Sequence, residues 1–125
     1  MKIRIQGNSI RLRLSQSEVR RFVETGVVKD SIRFGVMPEA SRFFSLEKAD
    51  VPALNAAFAD SQIKISIPAN FAGEWASSDQ ISMEHEADLG NGERLKILVE
   101  KDFQCLTDRP GEDESDNFPN PNASC

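Results

Sequence analysis

Residues 2–14 read Lys-Ile-Arg-Ile-Gln-Gly-Asn-Ser-Ile-Arg-Leu-Arg-Leu, and the fold prediction for the whole chain starts from this stretch. Apolar and polar side chains alternate with a period of two on both sides of Gly7-Asn8, a dipeptide that suits a two-residue hairpin loop. The stretch therefore predicts an antiparallel hairpin. One face of this hairpin carries four cations, which are Lys2, Arg4, Arg11 and Arg13.

The predicted register puts the four cations directly opposite one another, with Arg4 facing Arg11 and Lys2 facing Arg13. Like charges in this arrangement destabilise a sheet by about 0.2–1 kcal/mol per pair, so we expect an anion nearby. Two interpretations stay open. The side chains splay apart in solvent or pair with carboxylates of neighbouring strands; otherwise they form an anion site, since arginine suits phosphate and carboxylate geometry.

The rest of the chain predicts an α+β fold. Ser15 and Glu18 form a capping-box pattern that opens a helix over residues 16–25, which Gly26 can end. Further strands are predicted near residues 27–36, 41–48, 53–59, 62–67, 80–89 and 93–103, with a second helix opened by Pro68. The element order is ββαββ, repeated twice. Because exposed edges need protection, we expect a mostly antiparallel, eight-stranded curved sheet or barrel.

The last predicted hairpin distributes its charges differently. With Gly90-Asn91-Gly92 as the loop, Asp88 faces Arg94 and Glu86 faces Lys96, while His85 faces Ile97. This register pairs opposite charges and apolar residues at the same time. The same chain therefore balances charge across one hairpin and leaves it unbalanced across the other.

Charge also separates the chain into segments. The net charge of -5 combines a basic first part, +4 over residues 1–50, with acidic parts over residues 51–103 and 104–125. Residues 1–103 predict one β-rich domain, and residues 104–125 predict an acidic C-terminal tail that contains proline. The acidic balance makes nucleic acid an unlikely partner, whereas a basic patch can attract a phosphate-bearing small molecule or an acidic peptide.

The start of the chain runs directly into the alternating pattern, and no apolar stretch of about 18 or more residues follows. We therefore expect a cytoplasmic protein that does not interact with membranes. In that compartment Cys105 and Cys125 are expected to be free thiols, although the sequence does not exclude a bridge between them.

Residues suited to catalysis are scarce. His85 alternates with apolar residues and is expected to be packed, and Cys105 has no histidine base nearby in the sequence. Glu84 and Glu86 are close enough on one strand to share a divalent cation, but a single E-x-E is a weak metal signal. We expect no cofactor, with Mg²⁺ required only by the enzymatic alternative below, and the balance favours a protein that is not an enzyme.

Two segments carry a resemblance to a known group of proteins: residues 1–14, Met-Lys-Ile-Arg-Ile-Gln-Gly-Asn-Ser-Ile-Arg-Leu-Arg-Leu, and residues 112–121, Glu-Asp-Glu-Ser-Asp-Asn-Phe-Pro-Asn-Pro. With them, the whole chain resembles a small bacterial family of unknown function. The resemblance implies a bacterial, cytoplasmic origin and brings no activity with it.

In architecture, eight antiparallel strands with cations on their faces are similar to the CYTH-type tunnel fold. In that fold arginine and lysine hold phosphates and glutamates hold a metal. Its first strand has the pattern E-x-E-x-K, whereas the matching positions here are Lys2, Arg4 and Gln6. The missing carboxylates argue against metal-dependent hydrolysis of a triphosphate.

Three functional hypotheses follow. The first is an anion- or phosphate-binding module that uses Lys2, Arg4, Arg11 and Arg13. The second is a protein-interaction module regulated by its acidic tail, in which residues 112–116 dock on that basic face until a partner displaces them. The third is a divergent CYTH-like phosphohydrolase that holds a metal with Glu84 and Glu86.

Overall fold

The computed structural model describes residues 1–104 and 115–120. Cys105, Cys125 and the acidic residues 112–114 lie outside the described residues. The described part is an α+β structure with eight strands, two α-helices and one short 3₁₀ helix. The strands are β1 (Lys2–Gln6), β2 (Ser9–Leu14), β3 (Val27–Arg33), β4 (Ser41–Ala49), β5 (Asn55–Ala59), β6 (Gln62–Pro68), β7 (Ser82–Gly90) and β8 (Glu93–Lys101). The α-helices are α1 (Gln16–Thr25) and α2 (Ala69–Ser77), and the 3₁₀ helix is Pro38–Ala40.

The first hairpin has the predicted register. Arg4 pairs with Arg11 and Lys2 pairs with Arg13 across β1 and β2. Gly7 adopts a φ of 57° at the first turn position, which costs glycine little and is the reason that this loop type uses it.

Helix α1 also has its predicted bounds. The backbone N–H of Ser15 donates to Glu18 Oε1 at 3.0 Å, which satisfies one amide group at the helix start. At the other end Gly26 has a φ of 83° and donates its N–H to Phe22 O at 2.9 Å, the left-handed stop that favours glycine.

The prediction of one curved sheet or barrel was wrong. The strands form two four-stranded sheets, ordered β1-β2-β8-β7 (sheet A) and β3-β4-β6-β5 (sheet B), and neither is closed. Each is mixed, because β2 pairs parallel to β8 and β4 pairs parallel to β6. Helix α1 connects β2 in sheet A to β3 in sheet B, and α2 connects β6 in sheet B to β7 in sheet A. The two hairpins on either side of each helix therefore lie in different sheets.

The two halves of the chain occupy equivalent places. Asn8 O accepts the backbone N–H of Lys96 at 3.1 Å, and Ser61 O accepts that of Phe43 at 3.0 Å. Ser61 follows Asn8 by 53 positions, and Lys96 follows Phe43 by the same number. The strand order agrees, since β1, β2 and β8 in sheet A match β5, β6 and β4 in sheet B. We call residues related by this spacing equivalent.

One apolar core lies between the sheets and the helices. Helix α1 buries Val19 and Phe22 there, and α2 buries the equivalent Ala72 and Trp75. The indole N–H of Trp75 donates to Ile81 O at 2.9 Å, so the buried ring keeps no unpaired polar group. The inward faces of both sheets supply the rest of the core, mainly valine, leucine and isoleucine.

The last hairpin shows a refinement of the predicted register. Asp88 pairs with Arg94 and Glu86 with Lys96, as predicted, but the turn is Asn91-Gly92. An irregularity between Asp88 and Gly90 adds one residue to β7 and restores the pairing, as a β-bulge does.

Residues 115–120 lie against the domain. Asp102 O accepts the N–H of Phe118 at 2.7 Å, and Phe118 O accepts that of Gln104 at 2.7 Å. Asp116 O accepts the N–H of Gln16 at the start of α1 at 2.9 Å. Neither α-helix within the described residues is long and apolar enough to cross a membrane.

Candidate functional site

Four cations lie on the outer face of sheet A, which we call the basic face: Lys2, Arg4, Arg11 and Arg13. The alternation of β1 and β2 directs Leu12 and Leu14 into the core, so the charged positions between them point away from it. Lys2 and Arg4 are exposed, while Arg11 and Arg13 are each about one third exposed. The basic face is therefore open to solvent and does not line the inside of a barrel.

Glu100 on β8 lies beside two of these cations. Its Oε1 atom accepts hydrogen bonds from the Nε atoms of Arg11 and Arg13, each at 2.7 Å, and Arg11 Nη2 lies 2.5 Å from the same oxygen. The parallel pairing puts Glu100 directly opposite Arg13. One carboxylate thus serves two guanidinium groups, and positive charge is left over.

Lys2 has a carboxylate partner at the end of the basic face. Its Nζ lies 3.0 Å from Asp102 Oδ2. Asp102 is largely buried and is fixed through its backbone, since its N–H donates to Leu14 O at 2.8 Å. This pair is therefore neutral as a unit.

Arg4 differs from the other three cations. Its Nη2 donates to Gln6 Oε1 at 3.2 Å. Within residues 1–104 and 115–120, no carboxylate lies within 4.0 Å of it. A neutral amide does not neutralise a guanidinium, so Arg4 keeps its full charge at the centre of the basic face.

Lys96 on β8 extends the basic face, and sequence analysis did not assign it there. It lies opposite Ser9 in the parallel pair and opposite Glu86 in the antiparallel pair. Glu86 instead contacts Arg94, with Oε2 3.5 Å from Nη1. In the described part of the chain Lys96 has no carboxylate within 4.0 Å. The alternation of β8 puts Lys96, Leu98 and Glu100 on one face of the strand. Sequence analysis could not assign Lys96 to the basic face because the parallel pairing of β8 with β2, which places these residues beside Arg11 and Arg13, was not predicted.

Two surface depressions lie on the basic face. One, of about 200 Å³, is lined by Lys2, Ile3, Arg4, Arg11 and Arg13. The other, of about 180 Å³, is lined by Arg4, Gln6, Ser9, Ile10, Arg11, Lys96 and Leu98. Arg4 and Arg11 belong to both depressions.

Glu84 and Glu86, the weak metal candidates, lie exposed on the outer face of β7. Glu84 is opposite Leu98 and Glu86 is opposite Lys96. Across the described ranges, no three residues of His, Cys, Asp and Glu come together in a group that could hold a metal ion. His85 is half-buried on the inward face of β7, opposite Ile97.

The positions of sheet B that are equivalent to the basic face carry much less charge. Lys64 is equivalent to Arg11 and Glu47 to Glu100, and their Nζ and Oε2 atoms are 4.0 Å apart. Ser45 Oγ also donates to Glu47 Oε2 at 2.9 Å. The positions equivalent to Lys2, Arg4 and Arg13 are uncharged: they are Asn55, Ala57 and Ser66.

Asp116, at the end of the acidic run, lies at the N-terminus of α1. The Ser17 hydroxyl donates to its Oδ2 atom. Hydrogen bonds from Ser17 and Ser15 lower the pKa of this carboxyl below its ordinary value of about 3.8. The described part of the tail thus contacts α1.

These features define an α+β protein with two mixed four-stranded sheets and a basic patch on one outer face. The family of unknown function DUF7009 matches residues 1–122, and the chain belongs to this family. No curated protein and no solved structure matches the chain. The similarity to the CYTH-type tunnel fold therefore has no support from these comparisons, and neither sheet closes into a tunnel.

Proposed function

We propose that the protein is an anion-binding module that holds a phosphate-bearing small molecule on the basic face. The observation that carries the proposal is the position of Arg4. Its side chain lines both depressions, one together with Arg11 and Arg13 and the other together with Arg11 and Lys96. Among the described residues it has a hydrogen bond to Gln6 but no carboxylate partner. Arginine offers planar donor pairs that match phosphate oxygens, and a bound anion would relieve the cross-strand repulsion between Arg4 and Arg11.

The equivalent half supports the proposal. Sheet B has the same strand order, but its positions equivalent to the five cations and Glu100 hold only one cation, Lys64, and one carboxylate, Glu47. The additional cations of sheet A are therefore not required by the architecture. A charge arrangement that costs stability and is not needed for folding is typical of a binding site.

The test is thermal unfolding of the full chain with phosphate, pyrophosphate and tripolyphosphate, with and without Mg²⁺. A ligand at about 100 times its Kd stabilises the folded state by about 2.7 kcal/mol, which raises Tm by several degrees. Arg4→Ala should reduce this shift strongly.

Lys64→Ala is the matched control, because it removes one exposed cation from the equivalent face of sheet B. It should leave the anion-induced shift unchanged. The proposal is wrong if no anion raises Tm, or if Arg4→Ala and Lys64→Ala respond to anions alike.

A further inference from the structure

The two depressions on the basic face adjoin along the strands, with Arg4 and Arg11 between them. Residues that lie opposite one another on neighbouring strands form a row across the sheet. Lys2 and Arg13 form the row on one side of the Arg4–Arg11 row, and Lys96 lies in the row on the other side, opposite Ser9. Rows on one face of a strand are two residues apart, about 6.6 Å, so the cations extend over about 13 Å. A single compact anion does not reach from the first row to the last.

The charge of this surface exceeds that of one phosphate group. Five cations, Lys2, Arg4, Arg11, Arg13 and Lys96, face only two partner carboxylates, Glu100 and Asp102. Arg13 contacts Glu100 through Nε and also lines the first depression, and Arg4, which has no carboxylate within 4.0 Å among the described residues, lines both. Unneutralised charge is thus present in both depressions.

We propose that the two depressions form one elongated site for a short linear oligophosphate, an inference that rests on the anion-binding function above. Arg4 and Arg11 contact the middle of the chain of phosphates, Arg13 contacts one end, and Lys96 contacts the other. Gln6 and Ser9 add hydrogen-bonding groups beside Lys96.

The surroundings limit the length of the ligand. Asp102 lies at the Lys2 end, and Glu84 and Glu86 line the β7 side next to Leu98 and Lys96. The neutral Lys2–Asp102 pair offers no further positive charge at that end, and Glu84 and Glu86 repel a polyanion that extends across the sheet toward β7. The site therefore fits an oligophosphate of a few units better than a long polymer or a nucleic acid.

The experiment is calorimetric titration of the full chain with orthophosphate, linear tripolyphosphate and cyclic trimetaphosphate. The cyclic compound carries the same number of phosphate groups in a compact shape. Linear tripolyphosphate should bind about tenfold more tightly than orthophosphate and more tightly than the ring. Lys96→Ala and Arg13→Ala should each weaken tripolyphosphate binding several-fold while changing orthophosphate binding less than about twofold, and Lys64→Ala should change neither.

Equal affinities for the three compounds, or loss of orthophosphate and tripolyphosphate binding to the same degree in Lys96→Ala, would overturn the elongated site. Binding that still depends on Arg4 would then leave the proposed function standing as a compact anion site. If none of the three compounds binds, the proposed function itself fails.

Discussion

The outer faces of the two sheets share one plan and differ in how charge is distributed over the equivalent hairpins, β1-β2 and β5-β6, and the parallel strand beside each. Both place a cation from the second strand of a hairpin beside a glutamate from the parallel strand: Arg11 with Glu100 in sheet A, and Lys64 with Glu47 in sheet B. Only sheet A adds three further cations on β1 and β2. The common pair therefore belongs to the architecture, whereas the additional cations distinguish one half from the other.

This comparison assumes that the two halves pack in equivalent ways. Substitutions of equivalent core residues test that assumption and should have the largest effect on the free energy of unfolding. Trp75→Ala and Phe22→Ala remove fully buried rings at equivalent helix positions. Each should reduce the free energy of unfolding by about 3–5 kcal/mol, through lost burial and the cavity left behind. Urea denaturation followed by circular dichroism measures both.

Val23→Ala serves as the control for α1, because its side chain is partly exposed next to the buried Phe22. It should cost well under half of either core substitution. If Phe22→Ala costs no more than Val23→Ala while Trp75→Ala unfolds the chain, the halves do not share one cooperative core, and the equivalence fails.

Local elements could be predicted from the sequence because their signals lie within a few residues. Gly7-Asn8 set the register of the first hairpin, and Ser15 with Gly26 set the bounds of α1. The division into two sheets could not be predicted. It depends on β2 pairing with β8 and β4 with β6, and alternation shows that a strand face is buried without showing which strand lies beside it.

The candidate site was predictable to the same extent. The four cations of the first hairpin share one face as expected, because a known register fixes the direction of each side chain. Their carboxylate partners, Glu100 and Asp102, and the additional cation Lys96 were missed. All three are more than 80 residues away in the sequence and reach the basic face only through the parallel pair. At the 53-residue spacing few residues are identical, among them Ile10 with Ile63 and Glu47 with Glu100, so the sequence alone gives only a weak signal of the equivalence.

The equivalent ion pairs, Arg11 with Glu100 and Lys64 with Glu47, should give the next largest effect on stability. Glu100→Gln leaves two partly buried guanidinium groups without their carboxylate and should reduce stability by about 1–2 kcal/mol at neutral pH. Glu47→Gln affects a more exposed pair at 4.0 Å and should cost less than about 0.5 kcal/mol.

Glu100→Gln should also strengthen oligophosphate binding, because it adds positive charge to the site. Equal costs for the two substitutions, or weaker binding in Glu100→Gln, would contradict the assignment of excess positive charge to the basic face.

Two equivalent lysines allow a smaller, pH-dependent comparison. Lys48 Nζ donates to Val23 O near the end of α1, and Lys101 Nζ donates to Ser78 O after α2, both at 2.8 Å. Lys101 is buried against the rings of Trp75 and Phe118. Burial lowers the pKa of Lys101 below its ordinary value of about 10.5, although Asp79 opposes the change.

A lowered lysine pKa means that the unfolded chain binds more protons than the folded chain between the two pKa values. Stability should therefore rise with pH through that window, up to about 10.5. Urea denaturation from pH 7 upward should show this rise in the parent chain and in Lys48→Met but not in Lys101→Met. The chain has no tyrosine, whose titration would complicate the same window. A rise that persists in Lys101→Met assigns it to another group.

The smallest effect concerns a contact that the first helix makes with the described part of the tail, residues 115–120. Asp116 accepts the hydroxyl of Ser17 at α1, whereas the equivalent position in α2 is Asn70. Because the pKa of Asp116 is lowered, this contact contributes stability above about pH 3.8 that is lost as the pH falls through the lower, folded-state pKa. NMR titration of the full chain should show the pKa of Asp116 rising toward 3.8 in Ser17→Ala and staying low in Ser31→Ala, which changes an exposed serine of β3 that is not among the causes of the shift. An unchanged pKa in Ser17→Ala would contradict the assignment of the lowered pKa to the Ser17 hydroxyl.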